Sequence, residues 1–213
     1  MAELERRAWM DRVEVRALED GRRRIVQRAV PFGELSVDLG GWREVIVAGA
    51  FEIEGQDIRA LWQHDSSRVL GRTVAGTLAL RSEIDGIYAE SDPPDTSWAR
   101  DALISIERGD VTSSSFGFYV DDDEWLLSDA EIIRRVKRGT LLEVSPVTFA
   151  AYPQTSAAVR DRVMAMRAQV ITPDLLQVER ERLEAEQQAR ARGLARRRRL
   201  EMEGALLVGA ADG

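Results

Sequence analysis

The residues of this chain that are best suited to chemistry are a run of hydroxyl side chains and a single imidazole. Thr112 to Val120 reads T-S-S-S-F-G-F-Y-V, and His64 is the only histidine in the sequence. A serine hydroxyl is a weak nucleophile until a base removes its proton, and imidazole titrates near neutral pH. The combination indicates the acyl-transfer chemistry of a serine hydrolase, with His64 as the base.

Alternation along an extended chain decides which serine of the run is the better nucleophile. Successive side chains of a strand point to opposite faces, so Ser115 shares a face with Gly117, whereas Ser114 lies with Phe116. Gly117 leaves room beside Ser115 in which another backbone can approach closely. Ser115 therefore occupies a plausible seat for a nucleophile. Hydroxyls that merely begin a strand are the competing interpretation.

The composition narrows the classes of function. The sequence has no cysteine, which excludes disulfides, thiol nucleophiles and thiolate metal sites, and its single histidine argues against zinc. No apolar run reaches the roughly 20 residues that span a bilayer, and the N-terminal residues lack the apolar stretch of a secretory signal. The net charge of −7 argues against general nucleic-acid binding. We expect neither a cofactor nor a metal, and action where the protein is made.

Short strands are expected to position these groups. They cover residues 13–18, 24–30, 45–47, 58–64, 77–81, 87–90, 112–120 and 141–147. The first two form a hairpin, and Asp85-Gly86 supplies the turn of a second one, while the strand at 58–64 carries His64. A helix is predicted from Thr96 or Ser97 to Gly109. Residues 128–137 read as another short helix with Ser128 as its cap.

The composition changes after Ser156. Residues 175–202 are rich in Glu, Arg, Gln, Ala and Leu and predict one long charged helix with a thin apolar stripe. Such a helix suits pairing with a partner better than burial in the core, and a solvated helix without a partner is the alternative. We therefore predict a compact domain over residues 1–157 and a charged helical tail over 158–213, with flexible final residues.

Several short motifs follow one another in a characteristic order and spacing. They are Gly49-Ala50-Phe51, Leu61-Trp62-Gln63-His64-Asp65 followed by Leu70-Gly71-Arg72, Ser115-Phe116-Gly117-Phe118, and Leu142-Glu143-Val144-Ser145 leading through Val147-Thr148-Phe149 to Ala151-Tyr152-Pro153-Gln154-Thr155. Together they resemble the prohead proteases of tailed bacteriophages, also called head maturation proteases, over residues 12–157. The resemblance implies a serine endopeptidase related to the herpesvirus assemblins. The implied fold is α+β, mainly β, with a closed, mostly antiparallel β-barrel surrounded by helices.

The resemblance also implies roles for individual residues. His64 matches the general base of the family and Ser115 its nucleophile. Ser114 is the rival nucleophile, because an alignment shift of one residue moves the assignment, but alternation favours Ser115. Assemblins orient the first histidine with a second one, which this chain lacks, so a carboxylate is the natural substitute for holding the tautomer. We predict Glu143, within its Leu-Glu-Val-Ser motif, as the third member. Asp65 competes for this role, but neighbouring side chains of an extended strand diverge.

Substrates, partners and location are implied in the same way. Such enzymes act inside the immature capsid in the bacterial cytoplasm, where they cut scaffolding protein or the scaffold-like domain of the major capsid protein, and often themselves. Capsid and scaffold proteins are therefore the expected partners, and homo-oligomerisation is suggested by the assemblins. A non-enzymatic assembly or scaffolding factor is the alternative. A serine esterase fits less well because no Gly-x-Ser-x-Gly elbow is present.

Overall fold

The structure is a computed structural model that describes residues 3–128, 131–150 and 157–170. Its elements, in chain order, are β1 (Glu5–Trp9), β2 (Val13–Ala17), β3 (Arg23–Pro31), β4 (Arg43–Ile46), β5 (Arg59–Trp62), β6 (Asp65–Arg72), β7 (Leu78–Glu83), β8 (Gly86–Ser91), α1 (Ser97–Glu107), β9 (Ser113–Ser128), β10 (Glu131–Val147) and α2 (Ala157–Val170). The expected α+β, mainly β class is confirmed.

The strands form two open sheets. The first has the order β1-β9-β10-β5-β6, with β4 also paired to β10, and the second has the order β2-β3-β8-β7. Among the described residues, β1 pairs only with β9 and β6 pairs only with β5, so the edges of the first sheet do not meet. The expectation of a closed barrel is therefore wrong.

Local sequence signals are confirmed in both hairpins and in the first helix. β2 pairs with β3, and β7 pairs with β8 across the Asp85-Gly86 turn, each in antiparallel register. The Thr96 hydroxyl accepts a hydrogen bond from the backbone N–H of Ala99 at 3.4 Å, which caps the first turn of α1. The helix ends at Glu107, two residues before Gly109, whose φ of 80° is in the left-handed region.

The hydrophobic core fixes which way β9 faces. Phe116 and Phe118 are fully buried, and both pack edge-on against Phe51 with ring centroids 6.1 and 5.4 Å apart. The rest of the core draws on both sheets and on α1, including Ile25, Val30, Ile87, Leu103, Ile106, Val136 and Val144. Because the two phenylalanines point into this core, Ser115 and Gly117 face the other side of the sheet, as alternation predicts.

The prediction of a helix over residues 128–137 is wrong, because Ser128 ends β9 and residues 131–137 form the first part of β10. β10 pairs antiparallel with β9 from Glu131, opposite Ser128, to Val147, opposite Ser113. Ile132, Arg134 and Val136 alternate with half-buried residues, which is the burial pattern of a strand with one face against the core. The alternation is hidden in the sequence because the middle inward residue is an arginine.

That arginine belongs to a buried ion cluster formed by Glu5, Arg7, Glu44, Asp123 and Arg134. Arg134 Nη1 donates to Glu5 at 2.8 Å and to Glu44 at 3.1 Å, and its Nε donates to Asp123 at 2.6 Å. Arg7 Nε donates to Glu44 at 2.8 Å. Burial alone would lower the pKa of Arg134, but the hydrogen bond to Glu5 and the charges of Glu44 and Glu5 raise it above its usual value. The cluster ties β1, β4, β9 and β10 together.

Replacement of Arg134 with methionine is expected to lower the free energy of unfolding by about 3 to 5 kcal/mol, because the buried carboxylates lose their main partner. Urea denaturation measures this change. Arg135→Met is the matched control, since Arg135 makes an exposed pair with Glu124 that is expected to contribute about 0 to 1 kcal/mol. Equal losses in the two variants would contradict a stabilising role for the buried ion cluster.

The predicted boundary at residue 157 remains a prediction. By its contacts the chain divides into two compact units, Met1–Val163 and Met164–Gly213. The predicted long helix at 175–202 and the flexible end lie outside the described residues. None of the helices that are described is both long enough and apolar enough to cross a membrane.

Candidate active site

His64 lies in the tight turn between β5 and β6. Trp62 pairs with Asp65, so Gln63 and His64 form a two-residue hairpin loop, and their φ angles are 54° and 61°. Positive φ at both central residues is the geometry of a type I′ turn. Residues other than glycine adopt this region at a cost of about 1 kcal/mol or more each, and they persist there when surrounding contacts hold them. The predicted strand at 58–64 therefore ends at Trp62, and His64 is a turn residue.

Gln63 anchors this turn to the end of β10. Its backbone N–H donates to the carbonyl of Pro146 at 3.2 Å. Its side-chain amide donates to the Thr148 hydroxyl at 2.8 Å and accepts from the Thr148 backbone N–H at 3.2 Å. These bonds hold the His64 ring beside β10.

The His64 ring meets Glu143 of β10. Nδ1 of His64 lies 2.6 Å from Oε1 of Glu143, and the Ser145 hydroxyl donates to Oε2 of the same carboxylate at 2.5 Å. Glu143 is buried, and His64 is part-buried. Because a carboxylate only accepts hydrogen bonds, the pairing places the ring proton on Nδ1 and leaves the lone pair of Nε2 available as a base. Ser145 is the last residue of the Leu-Glu-Val-Ser motif, but its hydrogen bond to Glu143 was not predicted from the sequence.

Asp65, the competing carboxylate, is engaged elsewhere. Its Oδ1 accepts from the backbone N–H of Ser67 at 2.9 Å and from the Ser67 hydroxyl at 2.6 Å. The hydrogen bonds from Ser67 lower the pKa of Asp65. The structure thus brings Glu143, and not Asp65, to the imidazole.

Ser115 lies one strand away from Glu143. It is directly opposite Ser145 in the register of β9 and β10, and Gly117 is directly opposite Glu143. Ser115 and Glu143 are therefore diagonal neighbours on one face of the sheet, an arrangement that separates Cα atoms by about 7 to 8 Å. The Ser115 hydroxyl donates to the backbone carbonyl of Arg7 in β1 at 2.8 Å.

A sequence model of the family described as caudovirus prohead serine protease matches residues 11–169. The chain belongs to this family. The match includes His64, Ser115 and Glu143, and it confirms the prohead protease resemblance that the motifs indicated. Comparison with curated proteins and with solved structures gave no match. As a prohead serine protease, the chain is identified as a serine peptidase of bacteriophage capsid maturation.

Ser114, the rival nucleophile of this prohead protease, lies on the opposite face of β9 from Ser115. Its side chain shares the Phe116 face of β9 and is fully buried. Within the described residues its hydroxyl has no hydrogen-bond partner. Alternation along β9 therefore separates Ser114 from the face that carries Glu143.

Gly117 makes room for the glutamate of the site. A Cβ atom at this position would lie 2.5 Å from Oε1 of Glu143 and 3.1 Å from its Cγ. The space that the sequence left for another backbone is thus filled by the Glu143 side chain. Any larger residue at position 117 must displace the carboxylate that holds His64.

Replacement of Gly117 with alanine is expected to lower kcat by about 100-fold, because a displacement of about 1 Å in a catalytic group has an effect of that size. Hydrolysis of a peptide substrate measures the rate. His64 is the only histidine, so its downfield ring N–H signal in proton NMR can be assigned directly. The signal should shift or broaden in the variant. An unchanged rate together with an unchanged signal would contradict the role of Gly117.

The described part of the chain contains no cluster of potential metal ligands. No group of three or more His, Asp or Glu side chains is placed there to hold an ion.

Proposed function

We propose that this prohead protease cuts the scaffolding protein, or the scaffold-like domain of the major capsid protein, and also itself. The family supports the coarser function, a serine peptidase of phage head maturation. It also supports a location inside the immature capsid in the host cytoplasm, with capsid or scaffold proteins as partners. Formation of a homo-oligomer is part of the same proposal.

The observation that carries the catalytic assignment is the 2.6 Å hydrogen bond between His64 and Glu143. In the proposed mechanism Ser115 attacks the scissile carbonyl, and Nε2 of His64 accepts its proton. Glu143 keeps the ring oriented and stabilises the imidazolium that forms. His64 then protonates the departing amine, and water hydrolyses the acyl-enzyme.

The oxyanion that forms during attack needs hydrogen-bond donors. Preorganised backbone N–H groups supply a large part of the rate enhancement in acyl transfer. The amides of Phe116 and Gly117 are the nearest in sequence to Ser115, and we propose them for this role by proximity.

A relationship to the herpesvirus assemblins is a finer part of the proposal. Glu143 would take the place of their second histidine, since this chain has only one. Support comes from the position of its carboxylate at Nδ1 of His64, the atom that the third member of a triad must hold.

Co-expression with the major capsid protein of the same phage tests the function. Intact mass measurement should find the capsid protein shortened by the wild-type chain and full-length with Ser115→Ala or His64→Ala. If the wild-type chain binds capsid protein but leaves it at full length, the protein is an assembly factor and the proposed cleavage is wrong.

A further inference from the structure

The edge of β9 beside Ser115 is covered by the chain's own β1. β1 is the outermost strand of the first sheet, it pairs antiparallel with β9, and Ala8 lies directly opposite Ser115. The family match begins at residue 11, after β1 has ended at Trp9. A segment outside the matched region thus occupies the strand edge nearest to the proposed nucleophile.

β1 contacts both the proposed nucleophile and the proposed third member of the triad. The carbonyl of Arg7 accepts the Ser115 hydroxyl at 2.8 Å, and Nε of Arg6 lies 3.9 Å from Oε1 of Glu143. Ser115 is only 1% exposed. A hydroxyl has a single proton to donate, so Ser115 cannot give it to His64 while it is bound to Arg7.

β1 is held by its antiparallel pairing with β9 and by the charged groups of two of its residues. Glu5 and Arg7 enter the buried ion cluster, whereas Trp9 is only half-buried and Ala8 is small. Departure of β1 removes Glu5 and Arg7 together, one anion and one cation that pair with each other at 2.6 Å, so the net charge of the buried ion cluster does not change. Arg134 keeps Glu44 and Asp123 as partners when β1 is removed. The remaining sheet can therefore survive the departure of this strand.

We propose that β1 is an internal inhibitory strand that holds Ser115 inactive until it is displaced. The inference rests on the proposed function and concerns the regulation of the same site. An extended peptide substrate would then replace β1 and add to the edge of β9 through main-chain hydrogen bonds. The carbonyl of Arg7 marks the position of the substrate carbonyl that lies nearest to Ser115.

A reversible crosslink tests the proposal in the full chain. Trp9 is directly opposite Ser114, and directly opposite Cβ atoms lie about 4.5 to 5.5 Å apart, near the span of a disulfide. The chain has no other cysteine, so Trp9→Cys with Ser114→Cys forms one defined pair. A fluorophosphonate probe, which loses fluoride when a reactive serine attacks it, reports the state of Ser115 by intact mass.

The oxidised pair is expected to label at least about tenfold more slowly than the same protein after reduction, a difference of about 1.4 kcal/mol in barrier. A chain that lacks residues 1–9 should label faster than the full chain. The single variant Ser114→Cys is the control and should be insensitive to reductant.

The outcomes separate the regulation from the function. Equal labelling of Ser115 in the oxidised and reduced states would overturn the inhibitory role and leave the nucleophile intact. Failure of the two cysteines to crosslink would contradict the placement of β1. Absence of labelling in the reduced pair, the truncated chain and the wild type would instead overturn the proposed function, and the inhibitory role with it.

Discussion

Replacement of Ser115 with alanine is expected to lower the rate of capsid-protein cleavage by about 10⁴- to 10⁶-fold, because no other hydroxyl can take the place of a lost nucleophile. A time course of intact masses measures the rate. The fold should remain, since the substitution removes one hydrogen bond to Arg7, which is worth about 1 kcal/mol.

Ser114→Ala is the matched control for this prediction. Its hydroxyl is fully buried, and it makes no hydrogen bond within the described residues. Its removal therefore breaks no bond and should leave both the cleavage rate and the stability nearly unchanged. The opposite pattern, an inactive Ser114→Ala and an active Ser115→Ala, would move the nucleophile by one residue and contradict the assignment.

Replacement of Glu143 with glutamine is expected to lower kcat by about 10⁴-fold while the fold is kept. The amide has nearly the same shape as the carboxylate, but it has no charge to stabilise the imidazolium. Its NH₂ group would also face either the His64 ring or the Ser145 hydroxyl, where the wild-type protein has acceptor oxygens. Steady-state kinetics with purified capsid protein measures the loss.

Asp65→Asn is the control for the glutamate. Asp65 is adjacent to His64 in sequence but bonds to Ser67, so its replacement should change kcat by less than about twofold. The downfield ring N–H signal of the single histidine should persist in Asp65→Asn and be lost or moved in Glu143→Gln. A large loss of activity in Asp65→Asn alone would contradict the pairing of His64 with Glu143.

Local signals in the sequence were sufficient to predict the two hairpins, the helix α1 and the direction in which β9 faces. Each depends on residues close together in the chain, such as Asp85-Gly86 in a turn, Thr96 at a helix cap or Phe116 and Phe118 in alternation. Such patterns act through backbone preference and through the burial of one face, and both are readable within a short window.

Features that depend on distant partners could not be read in this way. Arg134 masks the alternation of β10, because a charged residue is not expected to face inward. Its guanidinium is buried there because it donates to Glu5, which is 129 residues away in the sequence. The turn at Gln63 and His64 has neither Asn nor Gly, the residues that mark a type I′ turn in a sequence. It is held instead by hydrogen bonds from Gln63 to Pro146 and Thr148. Whether a sheet closes into a barrel likewise depends on pairing between strands that are distant in the sequence, such as β1 and β6.

The candidate site shows the same division. The prediction of Ser115 rests on the family motif and on alternation, that of His64 on its uniqueness and the same family, and that of Glu143 on the family motif together with the need for a carboxylate. The contacts of Ser145 with Glu143 and of Ser115 with Arg7 were missed, and the second joins residues 108 apart in sequence. No pattern in residues 5–9 indicates that this segment would cover the nucleophile.

The most direct test of the proposed nucleophile and base is to map the residue that a fluorophosphonate probe modifies. After long exposure of the wild-type chain, peptide mass mapping should find the adduct on Ser115, and His64→Ala should carry none. An adduct on Ser114 or Ser145, or equal labelling of Ser115 when His64 is replaced, would contradict activation of Ser115 by the imidazole.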